Sequence, residues 1–490
     1  MVRWLLILCM ALVSITSHAQ NTKENQDDFE AFRAGIHEDF NKFRDEINRE
    51  FIEFVRNPWK EFESVAPVPK PKQEPVPPVV IPKEDKDSVP VKSTPIEIDT
   101  IIKPSPITPQ PKPIEPIPEN DLADEHMVSV SLFGTTCSIR FYKNKEYSIK
   151  QVSEKGIADA LTILATEKYD NFIVDCLKYR DELRLCDWAY LALVKNASEK
   201  VCGTGTNESN LLIAYVLIQS GYKIRLAISS DKLYVLYASN HCVFDKSSYS
   251  VDGDILYGME DLPSNLRISR ASFPEEQNVS LLITQQPLFS KKMSEKRTIS
   301  STKYPNVKVE TQSNKNLLDF YSTYPSSYYD DNYMTQWSQY ANTPMATEIQ
   351  NEIYPVLKRE LAGLSEYECV SRILNWVQTG FEYEYDDKVW GHDRTFFAEE
   401  TLFYPYCDCE DRSILFTRLV RDLTNLDCVL VYYPGHLATA VNFNSNVNGD
   451  YILLNRKKFV ICDPTYIGAP VGVTMPKMNN SSAGVILLNR

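Results

Sequence analysis

The 490-residue sequence has no basic run that could act as a phosphate-neutralising stripe: Lys plus Arg is 52 against Asp plus Glu 66, a formal charge of −14. That balance excludes nucleic acid as a partner. Beyond the amino terminus no stretch approaches the roughly 20 apolar residues that a membrane-spanning helix needs, so no transmembrane segment is expected. Proline is thin over most of the chain, because 16 of the 29 fall between Pro67 and Pro118. That clustering marks a linker and not a domain. What remains is ample for packed cores, with 43% hydrophobic and 24% charged residues and length for two or three ordinary domains.

The amino terminus reads as an export signal over residues 1–19: Arg3, the apolar run Trp4 to Ile15, then Ser17-His18-Ala19 as a cleavage site before Gln20. This predicts a periplasmic, extracellular or cell-envelope location. Leu6-Ile7-Leu8 before Cys9 lacks the small residues expected of a lipid-modified cysteine. Ten cysteines remain after cleavage, and their pairing cannot be read from the sequence.

Residues 20–63 carry an apolar repeat of period 11, with Phe29, Phe40, Phe51 and Phe62 in one series, Phe32, Phe43 and Phe54 in a second, and Ile36 and Ile47 in a third. The 3, 4, 4 spacing keeps one stripe on a helix, whose partner is either the chain itself or an envelope component. Pro58 ends or kinks it. Residues 64–120 read as a polyproline II spacer, which at about 3.1 Å per residue reaches on the order of 150 Å. Residues 127–252 open with a period-2 strand from Val128 to Phe133, then Ser138 to Tyr142, then a helical region from about Ala158 to Lys195. Residues 253–341 form a strand-rich and aromatic-rich connection. Eight aromatics between Phe320 and Tyr340 are either an exposed platform for sugar or peptide or a set packed beneath a loop. Residues 342–490 begin with a helix from Thr347 to Leu361, and a capping box, Ser365-Glu-Tyr-Glu368, opens another.

The chemistry concentrates in this last part. Phe403-Tyr-Pro-Tyr-Cys-Asp-Cys-Glu-Asp-Arg-Ser413 leads into an amphipathic run, Ile414 to Leu423, with Cys409 at the helix start. Unpaired N–H groups and the helix dipole favour thiolate at that position. Cys428 to Tyr432 and His436 to Val441 are strands flanking Pro434-Gly435, and Lys458 to Cys462 leads to Asp463-Pro464-Thr465. Cys409 to His436 is 27 residues, as is His436 to Asp463; a helix and adjacent antiparallel strands can fold these distances into one corner. The roles follow: Cys409 as nucleophile, His436 as base, Asp463 as the group orienting the imidazole. Cys407-x-Cys409 is a single pair where tetrahedral zinc sites show two, so neither metal nor cofactor is assigned. Cys407 could also pair with Cys428 or Cys462, or act as a resolving thiol.

Cys409-Glu-Asp-Arg-Ser, Gly435-His436 and Asp463-Pro-Thr465 resemble the transglutaminase-like superfamily, whose core has a Cys-initiated helix, a Gly-His strand and an Asp-Pro-Thr strand end. The match runs from about Thr347 to Arg490. It implies an α+β, papain-like transglutaminase core at the carboxy terminus and thiol-dependent acyl transfer to water or an amine. It also implies an oxyanion donor, for which Trp390 and Tyr406 are candidates beside the Cys409 N–H. Gly205 to Tyr222 aligns with the Cys409 helix, placing Thr206 where Cys409 stands, while Cys242-Val-Phe-Asp245 echoes Cys462-Asp463 and the His position falls near Lys232 or Leu233. The 127–252 domain is therefore expected to be a degenerate second copy. The expectation is an exported enzyme acting on protein or peptide, with hydrolysis favoured over crosslinking because water always reaches an exposed thioester. The alternative is a non-catalytic module that binds peptide or glycan in the same cleft.

Overall fold

Short apolar runs bounded by turns build two sheets, each with five antiparallel strands in the same internal order. The computed structural model describes residues 42, 44–56, 59–72, 76–82, 89–113, 115–143, 146–476, 478 and 483–489. The expected signal sequence and the repeat up to residue 41 lie outside these. Among the described residues no helix is long and apolar enough to cross a membrane.

In the carboxy-terminal half the helix Cys409–Thr424 precedes strands Asp427–Tyr433, His436–Asn442, Asp450–Leu454, Lys457–Cys462 and Ala483–Leu487. Across the sheet, Ala483–Leu487 pairs with Asp427–Tyr433, then come His436–Asn442, Lys457–Cys462 and Asp450–Leu454. In the amino-terminal half the helix Asn207–Gln219 precedes Ile224–Ser229, Lys232–Ala238, Ser248–Val251, Asp254–Gly258 and Asn265–Ser269, which take the same places in their own sheet. The fold is mixed α+β, with helices on the sheets. The strand His436–Asn442 is buried at six of seven positions, as an apolar run covered on both faces should be.

Domain edges differ from those expected. Asp254–Gly258 and Asn265–Ser269 complete the first sheet, so a boundary at 252 cuts through it. The hairpin Arg297–Ser300 and Lys308–Thr311 carries Ile299 and Val309 into the core of the second half, with Val307 in the intervening loop. The indole of the fully buried Trp376 donates to the Ile299 carbonyl at 3.2 Å. Of the eight aromatics from Phe320 to Tyr340, Phe320, Tyr321, Tyr328, Trp337 and Tyr340 are buried. They are packing groups and not an exposed platform.

Residues 44–55 are helical and dock on the protein's own body. Val55 is fully buried, Phe51 stacks on Phe273 at 4.0 Å between centroids, and Arg44 pairs with Asp170 at 3.0 Å. The helix does not continue to residue 63, because Trp59–Glu63 is a strand on the edge of the first sheet, against Asn265–Ser269. Phe62, which closes the period-11 series, therefore belongs to a strand.

The largest departure is the proline-rich segment, which is a strap across both halves and not a free spacer. Thr94–Pro95 and Ile98–Ile102 extend the two edges of the second sheet in parallel pairing. The Arg180 guanidinium donates to the Pro111 carbonyl at 3.0 Å, and Gln110 donates to that of Leu185 at 2.8 Å. Proline removes N–H donors but leaves carbonyls and the intervening Val and Ile to pair and pack. Edge strands covered in this way are also withheld from other chains. Ile102 is 2% exposed, so Ile102→Ala should lower unfolding free energy by about 2–5 kcal/mol in urea titration; an unchanged midpoint would mean the strap contributes nothing to stability.

Candidate active site

Cys409, His436 and Asp463 come from the three elements expected, and all three are buried, at 5%, 2% and 2% exposure. Asp463 lies just past Lys457–Cys462, where its Oδ1 accepts from the N–H groups of Thr465 and Tyr466 at 2.9 and 3.2 Å. The turn made by Asp-Pro-Thr thus aims the other oxygen at the neighbouring strand. There His436 Nε2 meets Asp463 Oδ2 at 2.9 Å. The Tyr433 ring lies nearly parallel to the imidazole, 12° off and 6.5 Å between centroids, and His436 Nδ1 is buried without a hydrogen-bond partner.

The Cys409 helix packs directly on the His436 strand, with Ser413 Oγ donating to the Leu437 carbonyl at 2.8 Å. The Leu437 N–H supports the Cys409 sulfur. The thiol itself donates to Glu410 Oε2 at 3.3 Å, not to His436. Burial pushes the Cys409 thiol well above its ordinary range, and the Glu410 and Asp408 carboxylates push it further. This reverses the expectation of a lowered thiol at the helix start: in a dry site beside two carboxylates, desolvation and like charge outweigh the helix dipole.

An acidic cluster surrounds the thiol. Asp386, Asp393 and Glu410 bring carboxylate oxygens within 4.8 Å of one another, as Asp408 and Glu410 do with the Cys409 sulfur. Burial first, and the Glu410 carboxylate second, raise Asp408 well above its usual range. An oxygen-rich set of this kind suits a hard cation and not zinc. The cation present is the Lys70 ammonium, 2.9 Å from Asp393 Oδ2. Cys407 is outside both groups; its sulfur donates to the Glu382 carbonyl, and burial holds it at about 11. Cys407, Cys428 and Cys462 are free thiols.

Among the described residues, neither expected oxyanion candidate hydrogen-bonds the Cys409 sulfur, whose side-chain partner is Glu410. Trp390 meets Phe396 and Tyr404 edge to face and lies under the Arg394 guanidinium, 4.4 Å from its ring centre, and Tyr406 is 39% exposed. The group beside Cys409 is Tyr383. Its hydroxyl is buried without a partner, and after burial the Cys409 sulfur is the strongest influence raising it. A short parallel pairing of Glu382–Tyr383 with Tyr406–Cys407 sets it there. The strand-like run Phe381 to Tyr385 was the available signal.

In the first half the equivalent positions are also filled. Thr206 is the N-cap, so the helix-start position is Asn207, whose side chain bonds the Leu233 N–H at 2.9 Å. Lys232 opens the second strand and pairs with Glu260 at 2.6 Å, much as His436 pairs with Asp463. Cys242 to Asp245 does not align with the strand before Asp463. It overlaps His241–Val243, a separate strand paired with Ser327–Tyr329.

The chain matches no family model, no curated protein and no solved structure.

Glu399 and Glu400, both fully buried, are held up at about 7, chiefly by burial. A carboxyl raised on folding stabilises the protein fully below its unfolded value near 4.5 and loses that contribution as pH rises through about 7. Unfolding free energy of the wild type should therefore fall with a steeper pH slope between about 4.5 and 7 than that of Glu399→Gln, by up to about 1.4 kcal/mol per pH unit. Equal slopes would contradict this.

Proposed function

We propose that the protein is an exported cysteine-dependent acyl-transfer enzyme of transglutaminase-like type, hydrolysing peptide or amide bonds through a thioester on Cys409. The observation that carries the reading is the buried His436–Asp463 pair at 2.9 Å with the other imidazole nitrogen unengaged, on a strand packed against the helix that begins at Cys409. With its proton on Nε2 toward Asp463, His436 has a free lone pair on Nδ1 to take the thiol proton. The thiolate attacks the carbonyl, the Tyr383 hydroxyl and the Cys409 N–H hold the developing oxyanion, and His436 returns the proton to the leaving amine. Water then releases the acyl group. The helix and sheet order shared by the two halves supports reading the first as a degenerate copy, with Asn207, Lys232 and Glu260 in place of the reacting groups. The residues of the amino-terminal export signal support the location.

A second reading, a non-catalytic peptide-binding module, is favoured by one observation: the thiol donates to Glu410 Oε2 and not to His436. Acylation separates the two. With p-nitrophenyl esters, mass spectrometry should find acyl groups on Cys409, and Cys409→Ala should abolish the burst. His436→Ala should slow it at least 10²-fold, and Tyr383→Phe roughly 10²-fold. An unchanged burst in Cys409→Ala would leave only the binding module.

A further inference from the structure

The strap does not cross the molecule at random; residues 70–72 and 76–82 touch the flanks of all three proposed reacting groups. Lys70 Nζ lies 2.9 Å from Asp393 and 3.4 Å from Thr395 Oγ1, in the loop that packs on the start of the Cys409 helix. The Val76 N–H donates to the carbonyl of Gly435, the residue before His436, at 2.9 Å. The Val79 carbonyl accepts from the Ile467 N–H at 2.8 Å, and the Ile81 N–H donates to the Ile467 carbonyl at 2.9 Å, just past Asp463. Ile81 is 4% exposed and packs with Tyr466, Ala469 and Met475. Extended backbone, alternating main-chain hydrogen bonds, one seated aliphatic side chain and one paired cation are the means by which a groove holds an extended peptide.

We propose that this groove is the polypeptide-binding site of the enzyme, filled in the full chain by its own strap. The ligand class is an extended segment of Val, Ile and Pro, with a basic residue six positions before the valine that bonds Gly435. The features of the strap define this class. Its prolines fall where no N–H is used, the N–H groups of Val76 and Ile81 are the donors, and the acidic pocket of Asp386, Asp393 and Glu410 selects the cation. The inference deepens the acyl-transfer reading by naming the substrate class and by making the strap a competitor in cis.

The test uses the full chain, a fluorescein-labelled synthetic peptide of Pro67–Pro82 sequence, and a scrambled control. Val76→Pro removes one N–H donor from a stretch that is already proline-rich, and Ile81→Asp expels the seated side chain. Each should leave the chain folded by circular dichroism, let the labelled peptide bind in trans by anisotropy, and speed Cys409 alkylation by iodoacetamide roughly tenfold or more. Added unlabelled peptide should reverse the acceleration; scrambled peptide should not. Val76→Pro is the arm that survives if Ile81→Asp unfolds. Variants that take up no peptide and alkylate at the wild-type rate overturn the proposal. Peptide capture with a Cys409 that stays inert keeps the groove and removes catalysis, whereas a reactive, His436-dependent Cys409 with no peptide capture keeps catalysis and removes the groove.

Discussion

The site depends on one buried cation. Arg412, on the first turn of the Cys409 helix, is 1% exposed, and its guanidinium donates to the carbonyls of Phe381 at 2.9 Å, Gln378 at 3.2 Å and Pro464 at 3.5 Å. These carbonyls belong to the end of the Glu366–Gly380 helix, the start of the segment that carries Tyr383, and the turn after Asp463. The Gln378 amide continues the network to the Asp463, Tyr466 and Ala469 carbonyls at 2.9 to 3.1 Å. A buried charge costs several kcal/mol unless such bonds surround it, so these segments are held in one arrangement or the cation is stranded. The placement of Cys409, Tyr383 and Asp463 relative to one another follows from that constraint.

A second constraint acts in the opposite direction. Drying the site strengthens the His436–Asp463 pair and the polar network, but it also favours the neutral thiol. Glu410 accepts the thiol hydrogen bond, and Lys70 brings positive charge from the strap to Asp393 beside it. The strap thus covers the flank of this corner. On the acyl-transfer reading proposed above, admitting a polar ligand or water where Lys70 and the strap now sit would relieve the desolvation that raises the thiol. The first half has the same helix and sheet order, with a Lys232–Glu260 ion pair and Asn207 in the corresponding corner.

Local signals in the sequence were legible where a few residues decide the structure. The Ser365-Glu368 capping box forms with both of its hydrogen bonds. The strands flanking Pro434-Gly435 fall within a residue or two of their expected ends, and the 27-residue spacings do bring His436 to Asp463. What was not legible depends on partners distant in sequence. Polyproline composition describes the conformation of the strap but not where Val76 and Ile81 find acceptors, which are more than 350 residues away. Tyr383 acquires its position from a two-residue pairing with Tyr406–Cys407 that no pattern announces. The thiol's surroundings include more than the helix start: burial first, then the neighbouring Glu410 and Asp408 carboxylates, oppose the helix dipole.

The most direct test of the account is the pH dependence of Cys409 alkylation in the full chain carrying Val76→Pro, with and without His436→Ala. An activated nucleophile gives an apparent pKa below the free-thiol value of about 8.5, and this low-pH reactivity disappears when His436 is removed. A rate that rises only above about pH 9, alike in both chains, would show that opening the site does not couple the sulfur to the imidazole, and the catalytic claim would be wrong.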